Sequence, residues 1–210
     1  MGGPAPDPVS MSALREPDVD GDPLAQFAAW FAQARAAGIE HPEEVAVATA
    51  TPDGVPSVRM VLCKSYDSDG FVFFTNYASR KGAELEANPR AALLFYWGAL
   101  GRQVRVEGPV QRASRQRTEQ YVASRPRGSQ LSAMASPQSQ VIASRGWLED
   151  RVEELAGHYA GTELPVPDRW GGFLVVPERY EFWQHRDDRL HDRLLYTREG
   201  SGWRIQRLAP

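Results

Sequence analysis

The stretch SVRMVLCKSYDSDGFVFFTN, Ser57 to Asn76, holds two runs of strand-forming residues, 57–64 and 70–75, around Asp67-Ser68-Asp69-Gly70. Valine, phenylalanine and threonine suit a pleated backbone, and the Asp-Ser-Asp-Gly segment supplies turn chemistry. The pattern predicts a β-hairpin, whose two strands must be antiparallel. Short apolar or alternating runs recur at 44–50, 91–97, 102–112, 172–184, 191–197 and 203–208, with TPDGVP and WGALG as further turn signals. This spacing favours an antiparallel sheet or barrel over alternating βαβ units.

Helices interrupt the strands. In GDPLAQFAAWFAQARAAG, Asp22 can cap, Pro23 takes the first helical position, and Gly38 can close the helix. Leu24, Phe27, Phe31 and Ala34 form its apolar face. A second helix starts after Ser79 and is barred by Pro89. A third spans about 114–124, stopped by RPRG, and a fourth follows Ser144 with Trp147, Leu148, Val152, Leu155 and Tyr159 at near-helical spacing. The expected fold is mainly β with peripheral helices, an α+β barrel. Residues 1–18 read as a Pro/Gly-rich flexible tail, disordered unless docked, and 19–210 as one domain.

With a net charge of −3 and pI 5.8, the chain lacks the basic excess of a nucleic-acid binder. Cys63 is the sole cysteine, so no intrachain disulfide can form, which fits a reducing compartment. No apolar run reaches the ~18 residues of a membrane span. MGGPAPDPVS lacks the basic and apolar parts of a signal peptide, and Pro6 stands where a myristoylation motif needs Ser or Thr. A cytoplasmic address is the expectation.

Alternation along Ser57–Lys64 puts Val58, Met60, Leu62 and Lys64 on one strand face, and Arg59, Val61 and Cys63 on the other. In TNYASRKGAELEANP, Ser79 is an N-cap and Arg80 and Lys81 fall in the first helical turn. The helix end there is already positive, so two cations call for an anion such as phosphate. Tyr121 and Arg125 are four apart at a helix end, and Ser129 follows in the turn after Pro126. Phenol, guanidinium and hydroxyl can jointly grip a phosphate monoester. Gln138 and Ser139 add neutral hydrogen-bonding groups. In RLHDRLLY, read as a strand, Arg189, His191 and Arg193 share a face. The four histidines show no metal-ligand spacing, so no metal site is expected, and no nucleophile or P-loop motif is present. Oxyanion sites and aromatic surfaces without a nucleophile suit a phosphorylated planar cofactor.

RMVLCK, TNYASRKG, RQVRVEG, SRPRGSQ, QSQ, WGGF, EFWQ, RLHDR and the closing RLAP, in this order, resemble the pyridoxine/pyridoxamine 5′-phosphate oxidase family from about residue 22 to Pro210. The resemblance implies an FMN-binding split β-barrel of antiparallel Greek-key type and a homodimer with FMN at its interface. It implies oxidation of pyridoxine or pyridoxamine 5′-phosphate to pyridoxal 5′-phosphate, with O2 reduced to H2O2. By motif match, Arg59, Met60, Val61, Leu62, Cys63, Lys64, Phe74, Thr75, Arg80, Lys81, Gln103, Gln138, Ser139, Trp183 and Arg193 would contact FMN. Lys64, Tyr121, Arg125 and Ser129 would hold the substrate phosphate, with Arg189 and His191 at the substrate ring as the catalytic pair.

The family's Arg-x-x-Tyr segment before the first helix is replaced here by PDPV, with Arg15 the nearest candidate, and Met134 stands where tryptophan is usual. The missing lid keeps open the related flavin oxidases of phenazine biosynthesis, which act on an unphosphorylated tricycle. A non-catalytic split-barrel binder of flavin or haem is a further alternative.

Overall fold

The computed structural model describes residues 13–210. Nine strands form one sheet: β1 (Glu44–Ala50), β2 (Pro56–Asp67), β3 (Gly70–Asn76), β4 (Arg90–Trp97), β5 (Arg102–Arg112), β6 (Trp170–Val175), β7 (Arg179–Gln184), β8 (Asp192–Glu199) and β9 (Gly202–Arg207). Their order is β4-β1-β2-β3-β6-β5-β7-β8-β9, with every pairing antiparallel. A direct β4–β5 pairing closes the first six into a barrel and removes their free edges. β7, β8 and β9 continue outward from β5 as a flank.

The hairpin at Asp67–Gly70 is present, with Asp67 opposite Gly70. Gly70 takes φ +138°, and a Cβ there would lie 2.1 Å from the Val175 carbonyl oxygen, so the turn requires glycine. One irregularity departs from simple alternation. The β2–β3 register shifts between Cys63 and Ser65, leaving Lys64 at a bulge. The two faces of β2 are otherwise as expected: Cys63 is buried, while Val58, Met60 and Leu62 are 67%, 61% and 40% exposed.

Helix α1 (Pro23–Ala36) packs Phe27 and Phe31 against barrel aromatics and Trp30 against Phe182 of the flank. Asp22 Oδ1 accepts the Leu24 N–H at 3.0 Å, and Pro23 opens the helix. The Phe27 ring is buried, with Tyr66, Phe71 and Phe95 each edge-on at 4.9 Å. The other helices are α2 (Arg80–Ala87), α3 (Arg115–Ser124), α4 (Arg127–Ala135) and α5 (Arg145–His158). α5 buries no residue fully and packs against α4.

Three expectations need correction, and a fourth is narrowed. The run 172–184 is two strands, because Pro177 interrupts it and β6 and β7 pair with different parts of β5. The turn expected to hold Ser129 after Pro126 is the start of a helix, α4, which begins inside RPRG at Arg127; Pro126 sits at its N-cap, where a missing N–H costs nothing. The strand expected over 191–197 begins at Asp192, so Arg189 and His191 lie in the preceding turn. Finally, the tail is docked at its end: Leu14 is buried and Glu16–Asp18 form a 3₁₀ turn held by Arg207. The PDPV segment lies outside the described residues.

Candidate active site

A cleft of about 370 Å³ opens between β2, β3, α3 and α4. Met60, Val61, Leu62, Phe74, Thr75, Lys81, Tyr121, Arg125 and Gln138 line it, so nine of the expected site residues meet here. Tyr121 stacks on Phe74 at 4.0 Å between ring centroids, and Trp170 lies parallel to both at 5.9 and 5.8 Å. The Arg125 guanidinium lies over this column, 5.1 Å from the Trp170 ring and 5.9 Å from Tyr121. Its Nη1 is buried and has no hydrogen-bond partner among the described residues. A buried donor without a partner costs about 1–3 kcal/mol, so this nitrogen suits an anionic ligand. Arg125 itself is extended, just past the end of α3, yet still reaches the Tyr121 face.

A cationic floor adjoins the column. Ser79 caps α2 by accepting the Gly82 N–H at 3.3 Å. Lys81 is buried, and Nζ donates to Thr75 Oγ1 at 3.0 Å and Gln138 Oε1 at 3.1 Å. Burial, helped by the nearby Arg59 charge, pulls its ammonium from 10.5 down to about 8. Arg59 Nη2 is 3.4 Å from Glu84 Oε2, and Arg80 Nε is 2.8 Å from Glu84 Oε1. Glu84 also accepts hydroxyl bonds from Ser57 and Thr49. Burial pushes the Glu84 carboxyl up, but the Ser57, Thr49 and Arg80 hydrogen bonds and the Arg80 charge outweigh it and hold it at about 2. Three cations around the first turn of α2 fit a cofactor phosphate.

The second group sits apart, on the flank. Gln103, Trp183 and Arg193 are opposite one another across β5, β7 and β8. Arg193 Nε donates to Glu181 Oε1 at 2.7 Å, and Arg105 Nη2 reaches Glu181 Oε2 at 2.6 Å. His191 lies 4.7 Å from the Trp183 ring, and its Nδ1 accepts the Arg186 N–H at 3.1 Å. Arg189 is exposed with φ +61°. Among the described residues, no hydrogen bond, ion pair or ring contact joins this group to the cleft. Lys64, Arg80, Ser129 and Ser139 lie outside the cleft's lining; Ser129 is in the first turn of α4 and Ser139 takes φ +71°.

Sequence reading missed three residues. Glu84 orders the cations but was given no role. Trp170 carries Arg125 but stood only inside the WGGF fragment, with no role assigned. Asp192 binds Arg186 and Arg207 across distant sequence. Only the run of cations before an acid at i+4, Arg80 to Glu84, was a usable signal.

Residues 31–159 match the family described as Pyridoxamine 5′-phosphate oxidase, and residues 170–210 match the Pyridoxine 5′-phosphate oxidase C-terminal dimerisation region. The chain is 56% identical to a Pyridoxine/pyridoxamine 5′-phosphate oxidase of Rubrobacter xylanophilus, over 95% of this chain and 92% of that one. It is similar to the crystal structure of PhzG from Burkholderia lata 383 in complex with tetrahydrophenazine-1-carboxylic acid: TM-score 0.89, 33% identity, covering 96% of this chain and 100% of that one. A pyridoxamine 5′-phosphate oxidase-related, FMN-binding protein of Nostoc punctiforme shares the fold: TM-score 0.70, 18% identity, covering 91% of this chain and 100% of that one. No helix among the described residues is long and apolar enough to cross a membrane.

Proposed function

The chain belongs to the pyridoxamine 5′-phosphate oxidase family of FMN-dependent oxidoreductases, and from that premise we propose that it oxidises pyridoxine and pyridoxamine 5′-phosphates to pyridoxal 5′-phosphate. The observation that carries the substrate class is Arg125, which lines the cleft beside Tyr121 and Trp170 and whose buried Nη1 has no hydrogen-bond partner among the described residues. That is a seat for a phosphate monoester beside a planar ring. Lys64 and Ser129, outside the cleft's lining, are assigned to the same grip on the phosphate.

When bound, FMN supplies a two-electron acceptor for hydride from the substrate C4′, and O2 restores its oxidised form and leaves as H2O2. The alcohol yields the aldehyde directly; the amine consumes one water and releases ammonia. Lys81, Arg59 and Arg80 would hold the cofactor phosphate, Thr75, Gln138 and Ser139 would hydrogen-bond its other polar atoms, and Arg193, Gln103 and Trp183 would contact it as well. The two site groups lie apart within one chain, so we assign them to one site across a two-fold dimer. The cleft of one protomer then faces the flank of its partner. The exposed apolar row Val58, Met60 and Leu62, with Tyr96, is the surface such a dimer would cover. Arg189 then covers the substrate ring and favours negative charge there, while His191 donates from Nε2 to its 3-hydroxyl. Stacking and orientation supply much of the barrier reduction.

The similarity to PhzG favours a second reading, oxidation of a reduced tricyclic precursor. The test is FMN-reconstituted protein offered pyridoxine phosphate, pyridoxamine phosphate and a dihydrophenazine carboxylate, with O2 uptake and H2O2 measured. Turnover of the phosphates supports the first reading; turnover of the tricycle alone replaces it.

A further inference from the structure

We infer that Asp192 is the positioning residue for His191: it fixes the turn that selects the imidazole tautomer. This rests on the function proposed above. Asp192 joins three segments. Its Oδ2 accepts the Leu14 backbone N–H at 3.1 Å and lies 3.2 Å from Arg186 Nε, while Oδ1 lies 2.9 Å from Arg207 Nη1. The Asp192 side chain is only 15% exposed. Arg207 is itself held, donating to both Glu16 carboxylate oxygens at 3.0 and 2.9 Å and to the Leu14 carbonyl at 2.8 Å.

The consequence appears at the neighbouring residue. Arg186 uses its side chain on Asp192 and its backbone N–H on His191 Nδ1. Between them, Asp188 and Arg189 take φ +54° and +61°, a region costly for residues other than glycine. Such a turn persists only when its surroundings hold it, and the Arg186–Asp192 ion pair ties its two ends. With Nδ1 accepting, the neutral ring carries its proton on Nε2 and presents a donor at its outer edge. Asp192 touches no reacting atom. It acts through Arg186 on the aim and tautomer of His191.

The test is Asp192→Asn in the FMN-loaded protein, with Asp192→Glu as the rescue variant. The expected result for Asp192→Asn is a kcat lower by about 10-fold or more with KM changed less than about 3-fold. Combined with His191→Ala, Asp192→Asn should add less than about 2-fold, because the two act in series. Nitrogen-15 NMR of the imidazoles should show His191 as the Nε2–H tautomer in the parent and a mixture in Asp192→Asn. Asp192→Glu should recover part of the rate and the tautomer. If Asp192→Asn proves too unstable, Arg186→Ala cuts the same link and should give the same mixture. An unchanged tautomer, or an undiminished rate loss in the His191→Ala background, overturns the assignment. Failure of the parent to oxidise either phosphate overturns the proposed function alone, since the NMR comparison still decides the role of Asp192.

Discussion

Arg125 lies over Trp170 at 5.1 Å while its Nη1 stays buried without a hydrogen-bond partner among the described residues. The indole thus holds the guanidinium in place and leaves a donor free. Arg125→Ala is expected to raise KM for pyridoxine phosphate about 100-fold, near 3 kcal/mol, with FMN content unchanged. Trp170→Leu should give a smaller rise of the same kind. Steady-state kinetics decide it; an unaltered KM in Arg125→Ala removes the phosphate seat from this cleft.

Lys81 carries a pH signature. Its folded pKa of about 8 lies below its unfolded value, so between about pH 8 and 10.5 the unfolded chain holds more protons. This group's contribution to apoprotein stability therefore rises across that window, and below it the burial penalty is fully present. A bound phosphate favours the protonated amine, so the FMN dissociation constant is expected to climb up to about tenfold per pH unit above pH 8. Flavin fluorescence quenching from pH 7 to about 9.5 measures it. Lys81→Met should bind weakly with a flat profile, and a flat parent profile would show that Lys81 is not a phosphate ligand.

Glu84 binds Arg59 and Arg80 together. Removing one member of a buried ion cluster strands the other charges, so Glu84→Ala is expected to lose about 3 kcal/mol. That corresponds to a melting temperature lower by roughly 6–12 °C for a chain of this size. Calorimetry of the apoprotein tests it. A shift under about 2 °C would mean that the arginines need no anchor.

Val58→Asp places a carboxylate on the exposed apolar row of β2, outside the cleft's lining and without disturbing the interior face. The variant is expected to sediment as a monomer and to lose FMN. A monomer that retains full FMN occupancy would confine the cofactor site to one chain.

Much of the scaffold was legible because local chemistry agreed with the final fold. Asp67–Gly70 forces a hairpin, Asp22-Pro23 starts a helix, and the alternation of Val58, Met60 and Leu62 survives in the barrel wall. The flank was harder. Parity placed Arg189, His191 and Arg193 on one strand face, but two left-handed residues turn the chain before Asp192, and single-residue φ values leave little trace in sequence. α4 was hidden by Pro126 and by Gly128 and Ser129, whose weak helix propensity is overcome by burial of Leu131 and Ala135. Glu84, Trp170 and Asp192 act through partners far along the chain, such as Arg59, Arg125 and Arg207, so their roles emerge only after folding.

Cys63 was first a clue to compartment and then a buried side chain of β2. Burial also pushes its thiol up to about 12. Peroxide attacks thiolates, and at neutral pH this sulfur is neither ionised nor reachable. An oxidase of the kind proposed releases peroxide at every turnover. Its lone cysteine is thereby armoured against its own exhaust, and folded protein should keep one titratable thiol after prolonged turnover, released only on unfolding.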